Sequence, residues 1–284
     1  MDQQISPVTR LKGEVSLPGD KSISHRYAML TGIAEGTSVI ENYATGADCQ
    51  STLGCMRSLG VAWTKDGSQV TVEGRGLRGL NGPATDLDAG NSGSTIRMLS
   101  GILAAQPFRT TIGGDESLSR RPMARIIKPL REMGAQLDGR DDTFPPLTIT
   151  GSSLHAIDYT LPVPSAQVKS CVLLAGLFAN GTTTVRESVR TRDHTEIALR
   201  EFGAEITTRK GEISIVGGQT LQGRNLTVPG DLSSAAFFLV AGSIVPESQV
   251  VIRNVGLNPS RTALLDFLAA AGARVRVLDV QQPG

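Results

Sequence analysis

An α/β fold built from repeated β-α-β-α-β-β units is what this sequence predicts, and three observations predict it. Four segments share one plan, each with a first helix carrying an internal glycine (Gly32, Gly101, Gly176, Gly242). Each also has a second helix that stops at a glycine (Gly60, Gly134, Gly203, Gly272), and successive marks lie roughly 65–75 residues apart. A recurrence of that length is a supersecondary period. β-branched stretches of strand length separate the helices, which argues for parallel crossovers and buried helices.

Each unit opens with a turn holding serine or glycine, followed by an apolar helix of small residues. Between the helices, Thr37–Glu41, Thr110–Gly113, Thr182–Glu187 and Gln249–Asn254 read as strands. The stop glycines fit left-handed C-cap positions. Further strands are expected after the second helices, at Gln69–Glu73, Leu147–Thr150, Glu212–Val216 and Arg274–Leu278. Gly13–Leu17 is also strand-like, and a new unit begins near Thr227–Gly230. The units are too large and too few for a solenoid, so packing of several units about a common axis is expected. The tail Val280–Gly284 reads as a linker or a truncation.

A length of 284 residues suits about two ordinary domains, and a hydrophobic share of 39% supports real cores. With 28 basic and 27 acidic residues, the net charge is +1. That balance, with only 4% aromatics, argues against nucleic acid as a partner. The sequence shows no apolar run of spanning length and no N-terminal secretory pattern, so no membrane partner is expected. The three cysteines (Cys49, Cys55, Cys171) lack metal-ligand spacing and read as reduced, buried thiols, which suits a cytoplasmic protein.

Any anion site must therefore be a local gathering of cations. The run Leu17-Pro18-Gly19-Asp20-Lys21-Ser22-Ile23-Ser24-His25-Arg26 ends a strand-like stretch, turns, and opens a helix. A helix N-terminus leaves N–H groups unpaired and carries partial positive charge, so Lys21 and Arg26 there favour anions. It is not a nucleotide P-loop, because Asp20 stands where that motif needs glycine. Alone, the run also fits a capped helix with solvated charges.

The second unit opens with Asp88-Ala89-Gly90-Asn91-Ser92-Gly93-Ser94-Thr95-Ile96-Arg97. Gly90 and Gly93 allow close backbone approach to a ligand, or make a plain glycine turn with Arg97 solvated. Arg120 and Arg121 precede Pro122; one of the pair is expected to bind while the other is solvated. In the third unit Ser165 sits at an N-cap with Gln167 beside it, and capping alone would explain Ser165. Arg190-Thr191-Arg192-Asp193-His194-Thr195-Glu196 opens that unit's second helix, with a cap at Asp193 or Thr195 expected in preference to a His194–Asp193 dyad. His25 fits either an anion donor or a packing role. The unusual residues of units one to three share one structural location, the start of the first helix. Units related by rotation would bring those helix starts together.

The strings LPGDKSISHR, GNSGSTIR, SLSRRPM, PSAQVKS, TRDHTE and VPGDLSSAAFFL span nearly the whole chain. In them the chain closely resembles the 3-phosphoshikimate 1-carboxyvinyltransferases (5-enolpyruvylshikimate-3-phosphate synthases) of the enolpyruvyl transferase superfamily. The resemblance implies an inside-out α/β barrel architecture. It implies transfer of the carboxyvinyl group of phosphoenolpyruvate to the 5-hydroxyl of shikimate 3-phosphate, with release of phosphate, on the way to chorismate and the aromatic amino acids. It implies no metal or organic cofactor and a mostly monomeric protein.

By motif, the resemblance implies that Lys21 touches both substrates and assists proton transfer. Ser22, Arg26, Ser165, Ala166, Gln167 and Arg192 are implied to hold shikimate 3-phosphate. Gly93, Arg97, Arg121 and Gln167 are implied to serve phosphoenolpyruvate. Ala166 stands where many members have serine, so only its backbone would serve. The family is the target of glyphosate, and Gly93 implies a sensitive-type pocket. Members have six units in two domains, whereas four are present here. Residues 15–228 would form one three-unit domain, and 1–14 with 229–284 part of a second. The family's catalytic aspartate and glutamate would then lie outside this sequence, and the chain alone is expected to turn over weakly or not at all. Two alternatives stand beside this reading. One is a non-catalytic fragment that only binds shikimate 3-phosphate. The other is the sister transferase acting on UDP-N-acetylglucosamine, disfavoured because Asp115–Met123 has no cysteine.

Overall fold

Four left-handed glycines punctuate the chain: Gly60, Gly134, Gly203 and Gly272, at φ +87°, +95°, +88° and +87°. Each follows the C-cap of a helix, and the next residue's N–H reaches back five residues: Val61 to Met56 O at 3.0 Å, and Ala135 to Leu130 O, Ala204 to Leu199 O and Ala273 to Leu268 O at 2.9 Å. This is the Schellman arrangement, in which glycine avoids the Cβ penalty of a left-handed residue.

The computed structural model describes residues 6–281. The chain begins β1 (Lys12–Ser16), α1 (Lys21–Ile33), β2 (Thr37–Glu41), α2 (Ala47–Ser58), β3 (Ala62–Asp66) and β4 (Gln69–Glu73). It continues β5 (Leu87–Asp88), α3 (Gly93–Leu103), β6 (Arg109–Gly113), α4 (Glu116–Ser119), α5 (Ala124–Glu132), β7 (Gln136–Arg140) and β8 (Phe144–Thr150). Then come β9 (Asp158–Thr160), α6 (Ala166–Gly176), β10 (Thr182–Arg186), α7 (His194–Glu201), β11 (Ile206–Arg209) and β12 (Glu212–Val216). It closes with β13 (Asn225–Thr227), α8 (Leu232–Ile244), β14 (Gln249–Arg253) and α9 (Ala263–Ala270).

Two compact units result, one of Lys21–Val228 and one from the described residues of 1–20 and 229–284. The division falls after Asp20 and not after residue 14, because Val15 and Ser16 belong to β1, which pairs in parallel with β14.

The Lys21–Val228 unit contains three four-stranded sheets, ordered β13-β2-β4-β3, β5-β6-β8-β7 and β9-β10-β12-β11. Each joins one parallel pair to an antiparallel hairpin. In the second and third sheets a buried helix, α3 or α6, crosses over between the parallel strands. In the first sheet the parallel partner of β2 is β13, with Asn225 opposite Val39, and not the strand at 12–16. The sequence reveals that early strand but not its sheet, since β2's free edge is filled from far along the chain.

The helices α1, α3 and α6 are buried around most of their circumference. Helices of that kind need small residues where backbones meet. A Cβ at Gly101 would lie 2.3 Å from the Cys171 carbonyl oxygen, so glycine is what lets α3 and α6 approach. All three cysteines are free thiols and buried.

In the other unit β1 and β14 form a two-stranded parallel sheet. The strand expected at Arg274–Leu278 does not form, and Val277 and Leu278 are exposed. Among the described residues it meets no antiparallel partner, and an unpaired strand gains no ladder hydrogen bonds. Of the tail, residues 282–284 lie outside the described residues. No helix among the described residues is long and apolar enough to cross a membrane.

Replacing Gly101 by alanine should overpack the α3–α6 contact and cost about 1–3 kcal/mol. Thermal unfolding should show a Tm lowered by several degrees, whereas alanine at the open position Gly54 should not produce that loss.

Candidate functional site

The starts of α1, α3 and α6 lie within the Lys21–Val228 unit, and their side chains form two linked groups. At the start of α3, Ser92 Oγ caps the helix by accepting from Thr95 N at 3.1 Å. One turn on, Arg97 Nη1 donates to Gln167 Oε1 at 2.8 Å, while Gln167 Nε2 donates to Ser94 Oγ at 3.0 Å. One amide thus ties the first turn of α6 to the first turns of α3. Gly93 lies beneath two guanidiniums: a Cβ there would sit 2.8 Å from Arg97 Nη1 and 3.5 Å from Arg121 Nη1. Arg121 donates to Asn91 O and Ser117 Oγ, each at 3.2 Å, and to Asn91 Oδ1.

The charge here is unbalanced. The acceptors of Arg97 are Gln167 and the Pro122 carbonyl, both neutral. Burial, then the positive charges of Arg121 and Arg125, push the Arg97 pKa down. Asp115, which accepts from Asn91 Nδ2 at 2.7 Å, feels the charge of Arg121, while the acceptors of Arg97 are neutral. Such a cluster at a helix N-terminus is disposed to accept an anion.

The second group surrounds the start of α1. Lys21 Nζ pairs with Asp48 Oδ2 at 2.9 Å, with the lysine side chain 54% exposed. A pair that exposed holds a lysine weakly and leaves it available to a ligand. Ser22 Oγ accepts from Arg192 Nη1 at 3.2 Å. Arg26 is buried below: Nη1 donates to Ser22 O at 2.7 Å, Nη2 to Ser170 Oγ at 2.7 Å and Nε to Thr195 Oγ1 at 2.6 Å. The guanidinium therefore joins α1 to α6 and α7. Ser165 caps α6 through Val168 N at 3.4 Å, and Ala166 is buried with its carbonyl accepting from Ser170 Oγ at 2.6 Å. Among the described residues no hydrogen bond links Lys21 to Gln167, Arg97 or Arg121.

Of the two histidines in these motifs, His25 plays a structural part. His25 is fully buried, and its Nδ1 lies 2.7 Å from Thr52 Oγ1. Thr52 Oγ1 lies 2.7 Å from Thr95 Oγ1, which donates to Ser92 Oγ at 2.8 Å. A hydroxyl chain therefore runs from α1 through α2 to the cap of α3. Burial, then the neighbouring Arg26 charge, lower the His25 pKa to about 3. His194 Nδ1 stands 3.9 Å from Asp193, too far for a hydrogen-bonded dyad. The cap expected at Asp193 is not made by its side chain, which pairs with Arg190 at 2.8 Å. Thr195 instead serves Arg26.

The sequence assigns no role to Asn91, Thr52, Lys169, Ser170, Glu187 or Glu196, and gives Thr195 only a possible cap. Ser170, Thr195 and Lys169 lie inside motif strings already singled out, but Ser170 and Thr195 meet Arg26 of the first unit and Lys169 meets Glu187 and Glu196 across its own unit, and no local spacing reveals such pairings.

Helix starts from three successive segments thus stand with cations and small residues in one α/β unit. The chain belongs to the EPSP synthase (3-phosphoshikimate 1-carboxyvinyltransferase) family, whose model matches residues 5–283. It is 67% identical over 277 residues to a 3-phosphoshikimate 1-carboxyvinyltransferase of Solibacter usitatus, covering 98% of this chain and 65% of that protein. It is 53% identical over 272 residues to the one of Bacillus velezensis, covering 95% of this chain and 64% of that protein. Among solved structures it resembles EPSP synthase from Acinetobacter baumannii, with TM-score 0.88 and 48% identity over 93% of this chain and 60% of that one. The chain thus spans about 65% of the length of the curated relatives it matches.

The depressed His25 pKa has a sign that can be tested. The unfolded chain binds a proton near pH 6.5 that the folded chain refuses down to about pH 3. Stability from this group is complete above pH 6.5 and lost as pH falls through that window, on the order of 5 kcal/mol over its full width. Denaturant unfolding of wild type should lose more stability between pH 7 and pH 4.5 than that of His25→Gln. Equal losses would show that His25 does not titrate this way.

Proposed function

We propose that this chain holds shikimate 3-phosphate and part of the phosphoenolpyruvate site of a carboxyvinyl transferase. The reaction moves the carboxyvinyl group of phosphoenolpyruvate to the 5-hydroxyl of shikimate 3-phosphate and releases phosphate. In this reading Lys21, Ser22, Arg26, Arg192 and the α6 start (Ser165, Ala166, Gln167) serve shikimate 3-phosphate. Gly93, Arg97, Arg121 and Gln167 serve phosphoenolpyruvate. Gln167 reaches both ligands, and Lys21, the exposed ammonium at the α1 start, touches both and assists proton movement. The setting is the cytoplasm.

The observation that carries this reading is the pair Arg97 and Arg121 beside Gly93, with Arg97 bridged to α6 by Gln167 and bonded to neutral acceptors. Such a group binds phosphate and carboxylate together and stabilises charge that shifts during addition and elimination. The common order of the three sheets supports a further reading. Residues 21–228, close to the 15–228 read from the sequence, are one domain of three repeated units about a common axis, an inside-out α/β barrel. The remaining residues are part of a second domain.

Calorimetry with shikimate 3-phosphate tests the binding, and a coupled phosphate-release assay with phosphoenolpyruvate tests the transfer. The wild-type chain should bind shikimate 3-phosphate, and Gln167→Ala should weaken that binding about tenfold, the loss of roughly 1.4 kcal/mol. Absence of binding heat would sink the assignment. Appreciable phosphate release would exclude the binding-only alternative and overturn the expectation that the chain alone turns over weakly or not at all.

Gly93→Ala offers a separate check. Its Cβ would crowd the tip of the flexible Arg97 and make ordinary contact with Arg121, with side-chain atoms its three nearest neighbours, so the variant should fold normally. Glyphosate should bind it at least tenfold more weakly than wild type, as read by calorimetry in the presence of shikimate 3-phosphate.

A further inference from the structure

Beneath the α6 and α7 starts lies a charged group that the proposed reaction does not use. Lys169 Nζ lies 2.6 Å from Glu196 Oε1 and 3.1 Å from Glu187 Oε2, with side chains 1%, 3% and 4% exposed respectively. Buried ions are costly to desolvate, and a well-packed apolar set of equal volume is often as stable. Their value must be sought in what they hold in place.

Two connections lead from this group to the site. Glu187 Oε2 also accepts from Thr191 N at 3.1 Å and Thr191 Oγ1 at 2.7 Å, which clamps the turn immediately before Arg192. Glu196 lies in the first turn of α7, where the helix dipole favours a carboxylate. Its neighbour Thr195 lies 2.6 Å from Ser170 Oγ, and both hydroxyls accept from Arg26. Consecutive residues of α6, Lys169 and Ser170, thus meet consecutive residues of α7, Glu196 and Thr195.

We propose that Lys169, with Glu187 and Glu196, is a positioning residue for the phosphate-binding side of the site: it anchors the 187–196 segment so that Arg192 meets Ser22 and Thr195 orients Arg26. The inference rests on the reading that these arginines hold shikimate 3-phosphate. Lys169 itself touches no ligand and acts through them.

Calorimetry with shikimate 3-phosphate on wild type, Lys169→Met, Arg192→Ala and the double variant tests it. Lys169→Met should weaken binding about tenfold, and most of that loss should vanish when Arg192 is already absent. Equal loss in both backgrounds, or no loss, overturns the proposal, because a merely structural lysine would not be coupled to Arg192. Thr191→Val removes one clamp bond without stranding a buried charge, so it serves if Lys169→Met does not fold. It should weaken binding severalfold with little change in Tm; unchanged binding overturns the proposal. A second readout needs no ligand, namely the guanidinium Nε–H signals of Arg26 and Arg192 in NMR spectra. Both should be slowly exchanging in wild type and lose that protection in Lys169→Met and Thr191→Val. If wild type does not bind shikimate 3-phosphate, the functional reading fails. The NMR comparison then decides the positioning role alone: lost protection supports it and retained protection overturns it.

Discussion

The close approach of α3 and α6, permitted at Gly101 against the Cys171 carbonyl, is the constraint on which the site depends. With the two backbones that near, the first turns of both helices come within reach of one side chain. Gln167 then bridges Ser94 and Arg97 with a single amide. A larger residue at that crossing would push the helix starts apart, and no surface charge would restore the geometry. Small-residue packing in the interior thus sets the spacing of the cations above it.

Around this crossing the polar groups divide by depth. Half-buried residues such as Ser22, Ser94, Arg97, Arg121, Gln167 and Arg192 form the upper layer. Fully buried ones such as His25, Thr52, Thr95, Ser170 and Thr195 form the layer beneath, mostly as hydroxyls in mutual hydrogen bonds. Hydroxyls suit that layer because each both donates and accepts, so a chain of them stays satisfied without net charge. Arg26 spans the two layers, with its head among buried hydroxyls and its Nη1 on the Ser22 carbonyl.

Much of the fold is legible in the sequence, since the glycine stops and β-branched runs are local signals. Gly60, Gly134, Gly203 and Gly272 end helices with the same left-handed geometry, and Thr37–Glu41, Gln69–Glu73 and Glu212–Val216 are strands with the expected bounds. What was not legible depends on partners distant in sequence. The edge taken by β13 and the unformed strand near Arg274 were decided by which neighbours exist. At the site the charged residues stand out at helix starts, whereas Thr195 reads as a cap until Arg26 is seen to claim it. Lys169 sits in an apolar helix where nothing nearby in sequence discloses its two carboxylates.

The pairing of β13 with β2 has a consequence for biogenesis. Val39 meets its parallel neighbour only when Asn225 has been made, so the first sheet stays open while both later sheets are translated. At ordinary rates of synthesis that interval is on the order of ten seconds or more. During it the edge of β2 is an unsatisfied template for other strands. A nascent chain arrested before Asn225 would therefore be prone to mispairing, and chaperone capture should concentrate on that window.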